Sequence, residues 1–160
     1  MVNAIDRRGW LGWFVVGALV AGTLDILYAI GFSYFRSGVT PGRVLRYVAS
    51  GALGAEASKG GTGTALLGLG FHFLIAFLAT AVFFGAAALV PKLLDKAVLT
   101  GALYGIVVYV VMNYVVVPLS RIGSRPAPPT IVWVTGVLVH MFLIGVPIAL
   151  AARRGLPARN

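Results

Sequence analysis

Four long apolar stretches leave this chain few folds to choose from: Trp10 to Phe35, Thr64 to Val90, Ala97 to Pro118 and Ile131 to Ala151. A helix crossing the ~30 Å hydrocarbon core of a bilayer needs about 20 apolar residues, and each stretch reaches that length. In lipid, every backbone N–H and C=O must be bonded within the protein, so such stretches cross as helices. In a chain of 160 residues, little remains for a soluble domain. The sequence therefore predicts an all-α, four-helix transmembrane bundle that forms one domain over residues 1–160. Composition agrees. Only 11% of residues are charged and 59% are hydrophobic, whereas soluble domains carry about 25% charged residues.

The formal net charge is +9. In a soluble chain that would point to nucleic acid. Here the Lys and Arg residues flank the apolar spans, and no stretch outside them interleaves basic with aromatic residues. The expected partner is the lipid bilayer, with its anionic headgroups, and not nucleic acid. The chain contains no cysteine, which excludes disulfides, thiolate catalysis and Cys-ligated metals. The first span follows Asp6-Arg7-Arg8-Gly9-Trp10. It is too long for the apolar region of a signal peptide and lacks a small-x-small cleavage site. It reads as a retained helix, with Trp10 and Trp13 as interfacial anchors.

An even number of spans puts both termini on one side. Arg7, Arg8, Lys92, Lys96, Arg153, Arg154 and Arg159 fall on that side, and Arg36, Arg43, Arg46, Lys59, Arg121 and Arg125 on the other. The balance is nearly even. The Arg7-Arg8 pair directly before the first helix favours termini in the cytoplasm. Only the first loop is long. Thr40-Pro41 is a helix start, since Thr can cap and Pro suits the first helical position. Val44, Leu45, Val48 and Ala52 then share one face, with Arg43, Arg46 and Tyr47 off it. Residues 41–54 read either as a short interfacial helix, with Arg43 and Arg46 at the lipid headgroups, or as an ordered loop capping the bundle.

The chain also carries signs of an internal repeat. Gly17-Ala18-Leu19 in the first span matches Gly101-Ala102-Leu103 in the third. Gly68-x-x-x-His72 in the second matches Gly136-x-x-x-His140 in the fourth. The first loop accounts for the difference in spacing. A tandem duplication of a helical hairpin fits this pattern, with the two hairpins related by a pseudo-two-fold axis along the membrane normal.

Each span holds one costly polar residue: Asp25, His72, Asn113 and His140. At ~1.5 Å rise per residue all four fall at similar depth, between the midplane and the face carrying the first and third loops. Tyr28 and Tyr109 are placed to join them. Small residues mark close helix contacts in membranes. Gly22, Gly68 and Gly136 share helix faces with the polar residues, so the polar groups are expected to meet one another inside the bundle. Gly101-x-x-x-Gly105 is a close-packing signal, for a dimer or for the bundle itself.

Three readings of this polar layer stand side by side. It is structural, fixing helix register; or Asp25 with one or both histidines moves a proton or senses pH; or His72 and His140 ligate a haem iron, with the glycine four residues before each making room for the macrocycle. A metal would have only these two histidines and Asp25 to bind. No nucleophile–base pair, phosphate loop or zinc motif is present, so the chain reads as non-enzymatic, with no cofactor expected unless haem is bound. Its small size and small-residue faces also suit a homo-oligomer, or an accessory subunit of a larger respiratory, photosynthetic or transport complex.

His72-Phe73-Leu74, Pro91-Lys92, Gly101-Ala102-Leu103, Pro118-Leu119 and Pro128-Pro129 together carry a resemblance to the YagU-type family of small bacterial inner-membrane proteins. The resemblance covers less than half the chain and excludes the first helix with Asp25. It implies a four-helix bundle in the bacterial inner (cytoplasmic) membrane and transfers no catalytic residues.

Overall fold

The computed structural model describes residues 6–156, and side chains from Gly9 onward. The side chains of Arg7 and Arg8, and all of Arg159, which enter the charge balance above, lie outside the described residues. The chain is all-α. Helix α1 (Asp6–Ser37) is followed by a short helix α2 (Pro41–Leu53) and a 3-10 turn (Ala55–Lys59). Then come α3 (Thr62–Leu89), α4 (Ala97–Leu119) and α5 (Thr130–Gly155). Helices α1, α3, α4 and α5 are long and apolar enough to cross a membrane, which makes this a multi-pass membrane protein in contact with the bilayer. Their outer faces carry Leu, Val and Phe, among them Leu27, Leu66, Leu78, Val107 and Phe142.

Local chemistry sets the helix ends. Gly38 adopts φ +64°, and its N–H bonds the Tyr34 carbonyl at 2.8 Å, which closes α1 in a left-handed cap. Pro41 occupies the first position of α2, after Thr40 in extended conformation, as expected. Thr40 makes no side-chain capping bond.

The bundle has a packed half and a hollow half. Towards the chain termini, Phe83, Phe84 and Ala87 of α3 pack with Ala97 of α4 and with Ile148, Ala149, Ala151 and Ala152 of α5. Phe14 of α1 meets the Phe77 and Phe84 rings at 5.8 and 5.5 Å. Arg154 covers the Trp13 ring at 5.2 Å, where α5 ends beside the start of α1.

Glycines decide which helices approach closely. A Cβ on Gly105 would lie 2.1 Å from the His140 carbonyl oxygen, and one on Gly145 would lie 1.9 Å from that of Gly101. Helices α4 and α5 therefore touch backbone to backbone. The Gly101-x-x-x-Gly105 face is consumed inside the bundle, so the dimer contact expected of it is not available. Gly17 lets α1 close on Ala151 of α5 in the same way.

The two hairpins are not packed equivalently. The close α1–α5 seam has no counterpart between α3 and α4. There, Tyr104 meets Phe83 at 5.0 Å and donates to the Ala79 carbonyl at 2.6 Å. A full tyrosine side chain holds those helices apart where alanine and glycine let the others touch.

Overpacking a tight core costs about 1–3 kcal/mol, and Gly105→Val is expected to reduce stability by that order in reversible unfolding from detergent micelles. Gly85 faces outward with nothing within 4 Å, so Gly85→Ala should leave stability unchanged. Equal stability of the two variants would contradict a backbone-contact crossing of α4 and α5.

Candidate functional site

The hollow half encloses a cavity of ≈ 420 Å³ bounded by all five helices. Asp25 and Tyr28 of α1, His72 of α3, Asn113 of α4 and His140 of α5 all line it, and each is half-buried. Between them lie apolar walls that include Ile26, Ile75, Val108 and Ile144. Tyr109 is not among the lining residues. Its buried ring packs edge-on against His140 at 5.2 Å and fills the space beside Gly136.

The polar residues share a cavity without bonding to one another, contrary to the expectation of mutual contacts. The histidines and the asparagine turn instead to main-chain carbonyls. His72 Nε2 donates across helices to the Gly22 carbonyl at 2.8 Å. His140 Nδ1 donates to Gly136 at 2.9 Å, and Asn113 Nδ2 to Tyr109 at 2.9 Å. Thr80 and Tyr104 follow the same rule, on Ala76 and Ala79. A carbonyl has a second lone pair to offer after its helical bond. Within a helical span it is the acceptor nearest these donors.

Asp25 cannot follow this rule. An ionised carboxylate only accepts, and a helix interior presents carbonyls, which also only accept. Among the described residues, Asp25 forms no hydrogen bond and no ion pair; the one ion pair is Lys59 with Glu56, exposed on the first loop. The histidines are left with His72 Nδ1 and His140 Nε2 free, and Asn113 with its carbonyl oxygen. In neutral imidazole the remaining nitrogen accepts. Among the described residues the layer therefore keeps several unpaired acceptors, beside two donors that no carbonyl takes, the Tyr28 hydroxyl and the second Asn113 amide N–H.

Proline helps to place two of these residues. Pro118 and Pro147 lack the N–H that would bond back one turn, and their rings crowd that carbonyl. Both are preceded by a π-helical turn, Met112–Val116 in α4 and His140–Gly145 in α5. Such turns widen the helix and recur at functional sites. Asn113 lies in the first and His140 opens the second.

The mouth of the cavity lies under α2. A Cβ on Gly68 would sit 1.9 Å from the Leu45 carbonyl oxygen and 3.1 Å from the Ala49 nitrogen, so α2 lies directly on α3. The buried face of α2 centres on Ala49; Ala52, expected on that face, is exposed. Val44, Tyr47, Val48 and Gly51 face the cavity. The loop after α4 folds over α2. Arg121 N–H bonds the Gly51 carbonyl at 2.9 Å, and Arg125 hydrogen-bonds the Tyr47 hydroxyl and covers its ring. Burial pushes the Tyr47 phenol up from its ordinary pKa, and the Arg125 charge opposes that rise. Helix α2 is thus a lid on the bundle as well as an element at its surface. The part played by Tyr47 and Arg121 was not legible in the sequence, because their neighbours come from distant segments.

The space proposed for a haem beside the two glycines is already filled: Gly68 by the Leu45 backbone and Gly136 by the Tyr109 ring. No group of three His, Cys, Asp or Glu side chains able to hold a metal converges among the described residues. Compared with protein-family models, with curated proteins and with solved structures, the chain matches none.

The absence of cysteine gives a clean background for testing access to the cavity. On α1, Ala29 lines the cavity, Ala18 is fully buried and Leu27 is exposed on the outer face of the span. In lipid, Ala29→Cys should react with a membrane-impermeant maleimide, while Ala18→Cys and Leu27→Cys should resist. Protection of Ala29→Cys would mean the cavity is closed to water.

Proposed function

We propose that this is a non-enzymatic membrane protein whose intramembrane cavity responds to protons, with Asp25 as the group that takes up the proton. The observation that carries this reading is the carboxylate without a donor. An ionised carboxylate in a largely apolar wall needs donors. A proton, delivered by water, meets that need directly. The cavity has room for roughly a dozen waters at ~30 Å³ each. The titratable groups sharing the cavity are Tyr28 on the same helix, Tyr47 on α2, His72 on α3 and His140 on α5. Helix α4 contributes only the neutral Asn113 to this layer.

The packed half of the bundle closes the cavity towards the termini, where Thr80, Phe83 and Phe84 are buried. That geometry favours proton binding from one side over passage across the bilayer. Protonated Asp25 gains a donor and becomes able to bond a main-chain carbonyl as its neighbours do, which would tie α1 to the bundle. The YagU-type resemblance and a bacterial inner membrane are compatible with this role, and the role depends on neither.

Infrared difference spectra of the protein in lipid, taken between acid and neutral pH, test the reading. A protonated-carboxyl band should disappear on raising the pH in wild type and be missing from the Asp25→Asn difference spectrum. Proton flux into liposomes should stay at background for both. The same band in Asp25→Asn would assign it to Asp6, Glu56 or Asp95 and remove the proposal.

A further inference from the structure

A second pocket of ≈ 490 Å³ opens on the outer side of α2. We infer that it is a binding site for a phosphate group, held by Arg43, Arg46 and Arg121 at the membrane–water boundary. The inference rests on no part of the Asp25 reading.

Sequence spacing builds one wall. Arg43, Arg46 and Ser50 recur at helical intervals along one face of α2. The other walls come from Ser33 near the end of α1, from Ser58 on the 3-10 turn and from Arg121 after α4. The Arg121 backbone is fixed by its bond to the Gly51 carbonyl. Three guanidinium groups therefore line one concavity, and no acidic residue lines it. The one ion pair among the described residues, Lys59 with Glu56, lies on the exposed loop surface.

The Arg46 side chain is short of acceptors. Arg46 Nε is shielded from solvent and has no hydrogen-bond partner among the described residues. An unmade bond of this kind is costly, and more so for a charged group. Guanidinium groups bond phosphate oxygens in pairs. A phosphate in the pocket would accept from the guanidinium N–H groups that reach it and neutralise the clustered charge together. The Ser50 and Ser58 hydroxyls give their protons to the Tyr47 and Ala55 carbonyls, so Ser33 is the serine left free to donate.

The depth of the pocket suits a lipid phosphodiester, since it lies where α1 ends and α2 begins. Free phosphate offers the same chemistry, and the two sources separate experimentally. Native mass spectrometry of wild type from mixed phosphatidylglycerol–phosphatidylcholine nanodiscs reads retained phospholipid. Thermal unfolding in phosphatidylcholine nanodiscs, with and without inorganic phosphate, reads the free anion. A lipid site predicts selective retention of phosphatidylglycerol, weakened at least about tenfold in the Arg46→Gln/Arg121→Gln double variant. A free-anion site predicts a phosphate-dependent rise in Tm in wild type that the double variant lacks. Arg36→Gln, an exposed charge on the same side, should change neither readout. An equal loss in Arg36→Gln would reduce the effect to general surface attraction and overturn the inference. Wild type showing neither retention nor a phosphate shift would overturn it without recourse to any variant.

Discussion

The scarcity of hydrogen-bond donors inside a bilayer governs this molecule. Each span must satisfy its own backbone, which makes it a helix, and each helix interior then presents carbonyls with a spare lone pair. The donors of His72, Thr80, Tyr104, Asn113 and His140 resolve onto those carbonyls. A carboxylate has nothing to give a carbonyl. Asp25 is therefore singled out by the same rule that settles its neighbours, and its position in a cavity is the structural counterpart of that exclusion.

Helix spacing determines where the cavity can exist. Glycine and alanine bring α1, α4 and α5 together at backbone distance, through Gly17, Gly101, Gly105 and Gly145. Tyr104 and Phe83 keep α3 from closing on α4. Towards the termini, large side chains fill the resulting gap. Towards the loops they do not, and α2 closes over the space by resting on Gly68. Side-chain size thus sets both a rigid half and an open one. The prolines add local widening of α4 and α5 next to Asn113 and His140, at a level where the helices already border the cavity.

Much of the architecture was legible because it rests on long, one-dimensional patterns. The four spans and α2 begin and end within a few residues of where apolar length, Thr40-Pro41 and the glycine breaks put them. The similar depth of Asp25, His72, Asn113 and His140 follows from helical rise alone. Partner choice was less legible. Helical phase places a polar residue on an inner face, but it does not reveal that a carbonyl lies nearer than another side chain. The glycines preceding the histidines were read as room for a macrocycle. Leu45 and Tyr109 take that room, and neither is near its glycine in sequence. The α2 stripe was shifted for a similar reason: Ala49 is small enough to sit against α3, and apolarity alone does not distinguish it from Ala52.

The sequence by itself determined that this chain crosses a membrane four times and carries one costly polar group on each crossing, because span length and helical rise need no knowledge of neighbours. Tertiary structure decided which helices touch, that the polar groups surround a cavity without bonding to one another, and that three arginines from two separate segments face one pocket. Those outcomes depend on contacts between residues far apart in the chain, where the size of single side chains such as Gly68, Gly105 and Tyr104 sets the distance between helices.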